Sequence, residues 1–175
     1  DALFAQQNAI LAANKSDMMQ ASATISTVML DRLRLTPERI SGMAQGIREV
    51  AALPDPVGIQ LDEYIRKDGL RITKQSSPIG VVAIIYESRP NVTSDAAALS
   101  LKSGNTCVLR IGKEAYRTAR AIVDALKVGL ATAGIPEDAI GLVSDTTRQS
   151  ANELMRAEGL IDLLIPRGGF RIPAG

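Results

Sequence analysis

Three polar clusters in this sequence each follow an apolar run, and their residue types suit anion and oxyanion chemistry. The first is Tyr86-Glu87-Ser88-Arg89-Pro90-Asn91. Asn91 stands just before a helical pattern, where a side-chain amide can donate to a developing oxyanion; asparagine is equally a common turn and cap residue. Arg89 is either a substrate-facing cation or an ordinary surface arginine. The second is Arg110-Ile111-Gly112-Lys113-Glu114, which joins a strand pattern to a helix start. Helix starts present free N–H groups and a positive dipole end, so two cations there suit phosphate; the alternative is a solvated turn. The third is Pro166-Arg167-Gly168-Gly169, a turn in which a backbone without side chains can approach a phosphate, or a plain turn. Cys107 lies inside the apolar run Thr106-Cys107-Val108-Leu109. A reactive thiolate needs an electropositive, partly open setting, so Cys107 reads as a buried, inert cysteine.

The elements that must position these groups are legible in the pattern. Residues 1–14 read as helix, and 15–24 as a polar, mobile stretch. Thr36-Pro37-Glu38 is a helix start, with Thr36 as cap, Pro37 at the first helical position and an acid in the first turn. Ile40, Met43, Ile47 and Val50 then share one face, and Pro54-Asp55-Pro56 ends the unit. Over 58–77, Asp68-Gly69 between two extended, charge-flanked stretches predicts a hairpin. Strands are expected over 80–86, 106–110, 139–143 and 160–165. Helices are expected over 93–102, 114–133 and 148–157, with Gly104 past the first and Gly134 and Pro136 stopping the second. This alternation predicts an α/β fold: a Rossmann-like, mostly parallel sheet with helices on both faces. Ligands of such sheets bind at the carboxyl ends of strands, where all three clusters fall. The sequence contains neither G-x-G-x-x-G nor G-x-x-x-x-G-K-[ST], which rules out the standard dinucleotide fingerprint and the P-loop.

Composition narrows the function classes. The 175 residues suffice for one domain with a real core, and a 46% hydrophobic share with 3% aromatics makes that core aliphatic. Twenty basic against 19 acidic residues, with no basic run, argue against nucleic acid. No histidine and one cysteine argue against a metal site and an internal disulfide framework, and suit a reducing cytosol. Apolar runs fall short of the ~20 residues of a membrane span. Asp1-Ala2-Leu3-Phe4 enters helical sequence without an initiator methionine, so the chain is expected to begin inside a longer one.

Several stretches together resemble the gamma-glutamyl phosphate reductases, a branch of the aldehyde dehydrogenase superfamily. They are Ile85-Tyr86-Glu87-Ser88-Arg89-Pro90-Asn91-Val92-Thr93, Leu101-Lys102-Ser103-Gly104-Asn105 and Leu163-Leu164-Ile165-Pro166-Arg167-Gly168-Gly169, with Met29-Leu30-Asp31-Arg32-Leu33 and Leu53-Pro54-Asp55-Pro56-Val57-Gly58 upstream. The resemblance implies reduction of L-glutamate 5-phosphate to L-glutamate 5-semialdehyde by NADPH in proline biosynthesis, in the cytoplasm, with glutamate 5-kinase as pathway neighbour. It implies that Asn91 stabilises the oxyanion, that Arg110, Gly112, Lys113 and Glu114 meet the adenosine side of the cofactor, and that Arg167, Gly168 and Gly169 lie near its pyrophosphate. Arg89 is implied as a substrate contact. The implied organisation is an N-terminal helical part over 1–57, an oligomerisation hairpin over 58–78 that makes a homo-oligomer, a partial cofactor domain over 79–169, and an atypical tail over 170–175. The family's nucleophilic cysteine belongs to a later domain and is not carried over to Cys107. Ile111 departs from the family's glycine at that position and raises the expectation of weakened cofactor binding. The rival readings are the reductase half of a bifunctional kinase–reductase, an aldehyde dehydrogenase using NAD⁺, and a non-catalytic nucleotide-binding or assembly module.

Overall fold

The computed structural model describes residues 1–168; Gly169 and the tail over 170–175 lie outside the described residues. Helices α1 (Ala2–Ala5), α2 (Gln7–Ala21), α3 (Thr27–Leu33) and α4 (Pro37–Ala52) come first. Strands β1 (Gln60–Ile65) and β2 (Arg71–Gln75) follow. The chain then alternates through β3 (Val81–Tyr86), α5 (Asn91–Lys102), β4 (Thr106–Ile111), α6 (Tyr116–Thr132), β5 (Ile140–Leu142), α7 (Arg148–Met155) and β6 (Leu163–Arg167).

The expected parallel sheet is present, with strand order β5-β4-β3-β6 and every pair parallel. Both faces of β3 are buried, which is why its sequence is a continuous apolar run rather than an alternating one. Val82, Ile84 and Tyr86 share a core with Cys107, Leu109 and Ile111 of β4, and with Val92 and Ala97 of α5 and Ala119 and Val123 of α6. On the opposite face, Arg110 reaches Ser150 of α7. Leu3, Ile10, Ile40, Met43 and Ile122 make a second core that packs the N-terminal helices outside α5 and α6.

Two expectations need correction. The stretch over 15–24 is largely helix: α2 runs to Ala21. Its buried residues are Ile10, Asn14, Asp17 and Ala21, so a helical stripe exists but two of its members are polar. They are held by specific bonds. Asp17 Oδ2 accepts from the backbone N–H and the hydroxyl of Thr118 at 2.8 and 2.7 Å. Asn14 Nδ2 donates to the Leu33 carbonyl at 2.8 Å, and its Oδ1 accepts from Leu35 N–H at 2.8 Å. The last strand is also later than expected. Gly159 and a bend at Asp162 precede it, and Asp162 ties that bend to β3 by accepting from Val81 N–H at 2.8 Å. Pairing with β3 begins at Leu163.

The hairpin forms as expected. β1 and β2 pair antiparallel, Gly69 takes φ +85° in the turn, and its N–H donates to the Arg66 carbonyl at 2.9 Å. Every residue of β1 is exposed.

Candidate functional site

Strand register brings the three clusters to one place. Tyr86, the last residue of β3, is in register with Ile111 on β4 and with Arg167 on β6. The polar residues that follow each strand therefore start at one level of the same sheet edge. From β3 the chain steps outward to β4 and β5, then returns over the sheet to β6 on the other side of β3. The order reverses between β3 and β6, and an open α/β sheet leaves a crevice at such a point. A cavity of about 310 Å³ lies there, lined by Arg32, Tyr86, Glu87, Arg89, Val92, Arg167 and Gly168.

The fixed groups around this crevice are accounted for. Tyr86 is buried, its phenol and the Thr93 hydroxyl lie 2.8 Å apart, and burial raises its pKa strongly. Gly168 passes so close to Glu87 that an added Cβ would sit 2.9 Å from Glu87 Cγ. Close backbone approach is thus the reason for glycine at that position.

The second cluster divides into a buried and an exposed part. Arg110 is only 5% exposed. Its Nη2 donates to the Thr146 and Thr147 carbonyls, both at 2.8 Å, and its Nε to Ser150 Oγ at 3.4 Å. Burial lowers its guanidinium from the ordinary value, against the nearby Asp145 and Glu114. Asp145 accepts from Thr147 N–H at 2.7 Å and from its hydroxyl at 2.9 Å, and these bonds hold its carboxyl below the usual range. Ile111 is 1% exposed and packs into the sheet core. Its branched side chain therefore points into the core. Gly112 leads into the short 3₁₀ turn Lys113–Ala115. Lys113 is exposed and has no hydrogen-bond or ion-pair partner among the described residues; Glu114 stands beside it, half-buried.

Asn91 opens α5, and its Nδ2 donates to Asp95 Oδ2 at 3.3 Å. Burial raises the Asp95 carboxyl, while its bond from Asn91 and the charge of Arg167 act against that. A second cavity of about 570 Å³ joins Arg89, Asn91 and Asp95 to Arg32, Arg34, Gly42 and Met43. Arg32 and Arg89 line both cavities. Arg32 and Asp95 were not singled out from the sequence. Arg32 comes from the last turn of α3 and Asp95 from the second turn of α5, and tertiary packing alone sets them at the edge. The run Asp31-Arg32-Leu33-Arg34, two cations around a buried leucine, was the available signal.

A model of the aldehyde dehydrogenase family matches residues 2–165. The chain belongs to this family. Among curated relatives, it is 62% identical over 169 residues to a gamma-glutamyl phosphate reductase of Streptococcus suis and 60% identical to one of Streptococcus pneumoniae, covering 97% of this chain in each case. It spans 41% and 40% of those relatives' lengths. The crystal structure of the Thermotoga maritima gamma-glutamyl phosphate reductase superimposes with a TM-score of 0.93 at 40% identity, over 97% of this chain and 41% of that one. The Saccharomyces cerevisiae enzyme gives 0.82 at 38% identity, over 96% of this chain and 43% of that one. A propionaldehyde dehydrogenase of Rhodopseudomonas palustris, at 17% identity and a TM-score of 0.55, shares the fold alone.

Within this aldehyde dehydrogenase fold, Cys107 lies in the sheet core. It is 1% exposed, and burial pushes its thiol up to about 11, only partly offset by a hydrogen bond with Ser100.

Proposed function

We propose that this chain is the cofactor-binding part of a gamma-glutamyl phosphate reductase, which reduces L-glutamate 5-phosphate to L-glutamate 5-semialdehyde with NADPH, releases phosphate, and works in the cytoplasm as a homo-oligomer joined through the β1–β2 ribbon. The observation that carries this reading is the 62% identity to such a reductase across 97% of the chain. The register that gathers three polar clusters on one sheet edge gives it physical support.

The residues present fit a dinucleotide phosphate. Lys113, exposed at the end of β4 and without a partner among the described residues, would meet the 2′-phosphate, a point charge matched by an ammonium. Gly112 and Gly168 keep the edge low where a long ligand must lie against backbone. Arg110 holds the wall beside it by tying α7 to β4. The bound nicotinamide supplies hydride. Asn91 has one amide N–H pledged to Asp95 and another to offer an oxyanion. Asp95 thereby fixes the orientation of that amide.

Titration of the chain with NADPH and NADH, followed by cofactor fluorescence, tests this. NADPH is expected to bind at least about tenfold more tightly, a difference of ~1.4 kcal/mol. Lys113→Glu should abolish the preference. A chain that binds neither nucleotide, or a Lys113→Glu variant that still prefers NADPH, would sink the assignment.

A further inference from the structure

Three arginines from three separate elements converge on the switch-point crevice. Arg32 ends α3, Arg89 precedes α5 and Arg167 ends β6. All three are exposed, and none forms a hydrogen bond or ion pair with its guanidinium among the described residues. Arg34, Arg148 and Arg156 also lack such a bond among the described residues, but only Arg32, Arg89 and Arg167 share this cavity, and several other arginines are paired. Arg39 donates to the Asp31 and Arg34 carbonyls, Arg48 meets Asp1, and Arg120 meets Asp124. Among the described residues the cavity wall carries three guanidiniums and the Glu87 carboxylate, with the Asp95 carboxylate near enough to act on Arg167. That leaves an excess of positive charge, and the guanidiniums repel one another unless an anion lies between them. Planar guanidiniums also match the oxygens of a phosphoryl group better than any other side chain does. The Tyr86 hydroxyl is engaged with Thr93 and burial keeps it protonated, so it adds no negative charge.

We infer that Arg32, Arg89 and Arg167 form a clamp for a phosphoryl dianion, the acyl phosphate of the substrate and then the inorganic phosphate released from it. The identity of the phosphoryl donor rests on the reductase reading; the charge of the site does not. The inference moves the Arg167 side chain from the cofactor to the substrate and leaves the backbone at Gly168 to the cofactor. Arg32 and Arg89 also border the larger cavity that holds Asn91. A phosphoryl group held by the clamp therefore sets its acyl carbon toward the Asn91 amide.

Calorimetric titration of the chain with inorganic phosphate, at ionic strength held constant with chloride, reads the clamp directly. One phosphate per chain is expected. Arg89→Ala and Arg167→Ala should each weaken it about tenfold or more, as loss of a charge-assisted bond does. Arg89→Lys should weaken it less, and Lys67→Ala, in the distant ribbon turn, should change nothing. Saturating NADP⁺ should leave phosphate affinity intact. Thermal melts of the variants should match the parent, because all three side chains are exposed. Phosphate binding that survives both alanine variants overturns the clamp, as does the absence of phosphate binding. Displacement by NADP⁺ overturns it too, and would assign the arginines to the cofactor's pyrophosphate. NADPH binding without phosphate binding would remove the clamp and leave the reductase reading; phosphate binding without NADPH binding would do the reverse.

Discussion

Cys107 and Arg110 are three residues apart along β4, and both are buried, yet burial acts on them differently. Cys107 has an apolar surround that pushes its thiol up to about 11. At pH 8 roughly one thiol in a thousand is ionised, so native Cys107 should react with an aromatic disulfide reagent only as fast as the chain opens. A pH effect follows from the same shift. The folded value lies above the unfolded one of about 8.5, so the stabilisation is whole below that pH and is lost as pH rises through the folded value. Between pH 7 and 10 this amounts to about 2 kcal/mol. Urea denaturation should show that loss in the parent and a smaller one in Cys107→Ala. Equal losses would mean that the thiol is not held protonated. Keeping below pH 10 matters, because the Tyr86 phenol, also raised by burial, adds to the same loss above it. Arg110 keeps its charge because its donors are used: two carbonyls of the loop before α7 and the Ser150 hydroxyl. Arg110→Lys keeps the charge and loses the fork, and should cost about 1–3 kcal/mol in urea denaturation. An unchanged midpoint would show that α7 does not depend on it.

At the scale of elements, α2 shows where a sequence pattern misleads. The first turn of α6 has no cap from its own N-cap residue, Ala115. Asp17 supplies one from α2, placing a buried carboxylate against the Thr118 N–H and the positive end of α6. Asp17→Ala leaves two buried donors unpaired and should destabilise by about 2–4 kcal/mol, with Asp17→Asn milder because an amide oxygen still accepts one bond. Two variants of equal stability would refute a role for the charge. Residues 10, 14, 17 and 21 have helical spacing, so the helix was legible by position. It was hidden by type, since an apolar count treats Asn14 and Asp17 as surface, and their partners lie as far as 104 residues away. The sheet strands were legible because parallel strands buried on both faces leave long apolar runs. The three polar clusters were legible for the same reason, as the abrupt ends of those runs. Arg32 and Asp95 were not, because helices deliver them to the edge from outside the strand pattern.

At the scale of the molecule, the ribbon stands apart from the two cores. Leu61, Tyr64, Ile65 and Leu70 are 52–63% exposed, and no ribbon residue joins either core cluster. A lone two-stranded hairpin is marginal in water, and its outer edges carry unpaired backbone donors and acceptors that another strand can meet. Charges do border it, with Arg66 paired to Asp68 and Arg71 to Glu63, but these pairs close within the ribbon and leave its apolar side chains uncovered. The proposed homo-oligomer covers them with a second copy of the chain. Light scattering on the eluting protein should then give a mass of at least two chains for the parent. The double variant Leu61→Lys and Ile65→Lys should elute as a single chain. Its melting temperature at high dilution should stay close to that of the parent, because the two side chains are mostly exposed in their own subunit. A parent that elutes as a single chain at tens of micromolar would remove the second copy as the occupant of the ribbon. A double variant that still assembles would place the interface elsewhere on the molecule.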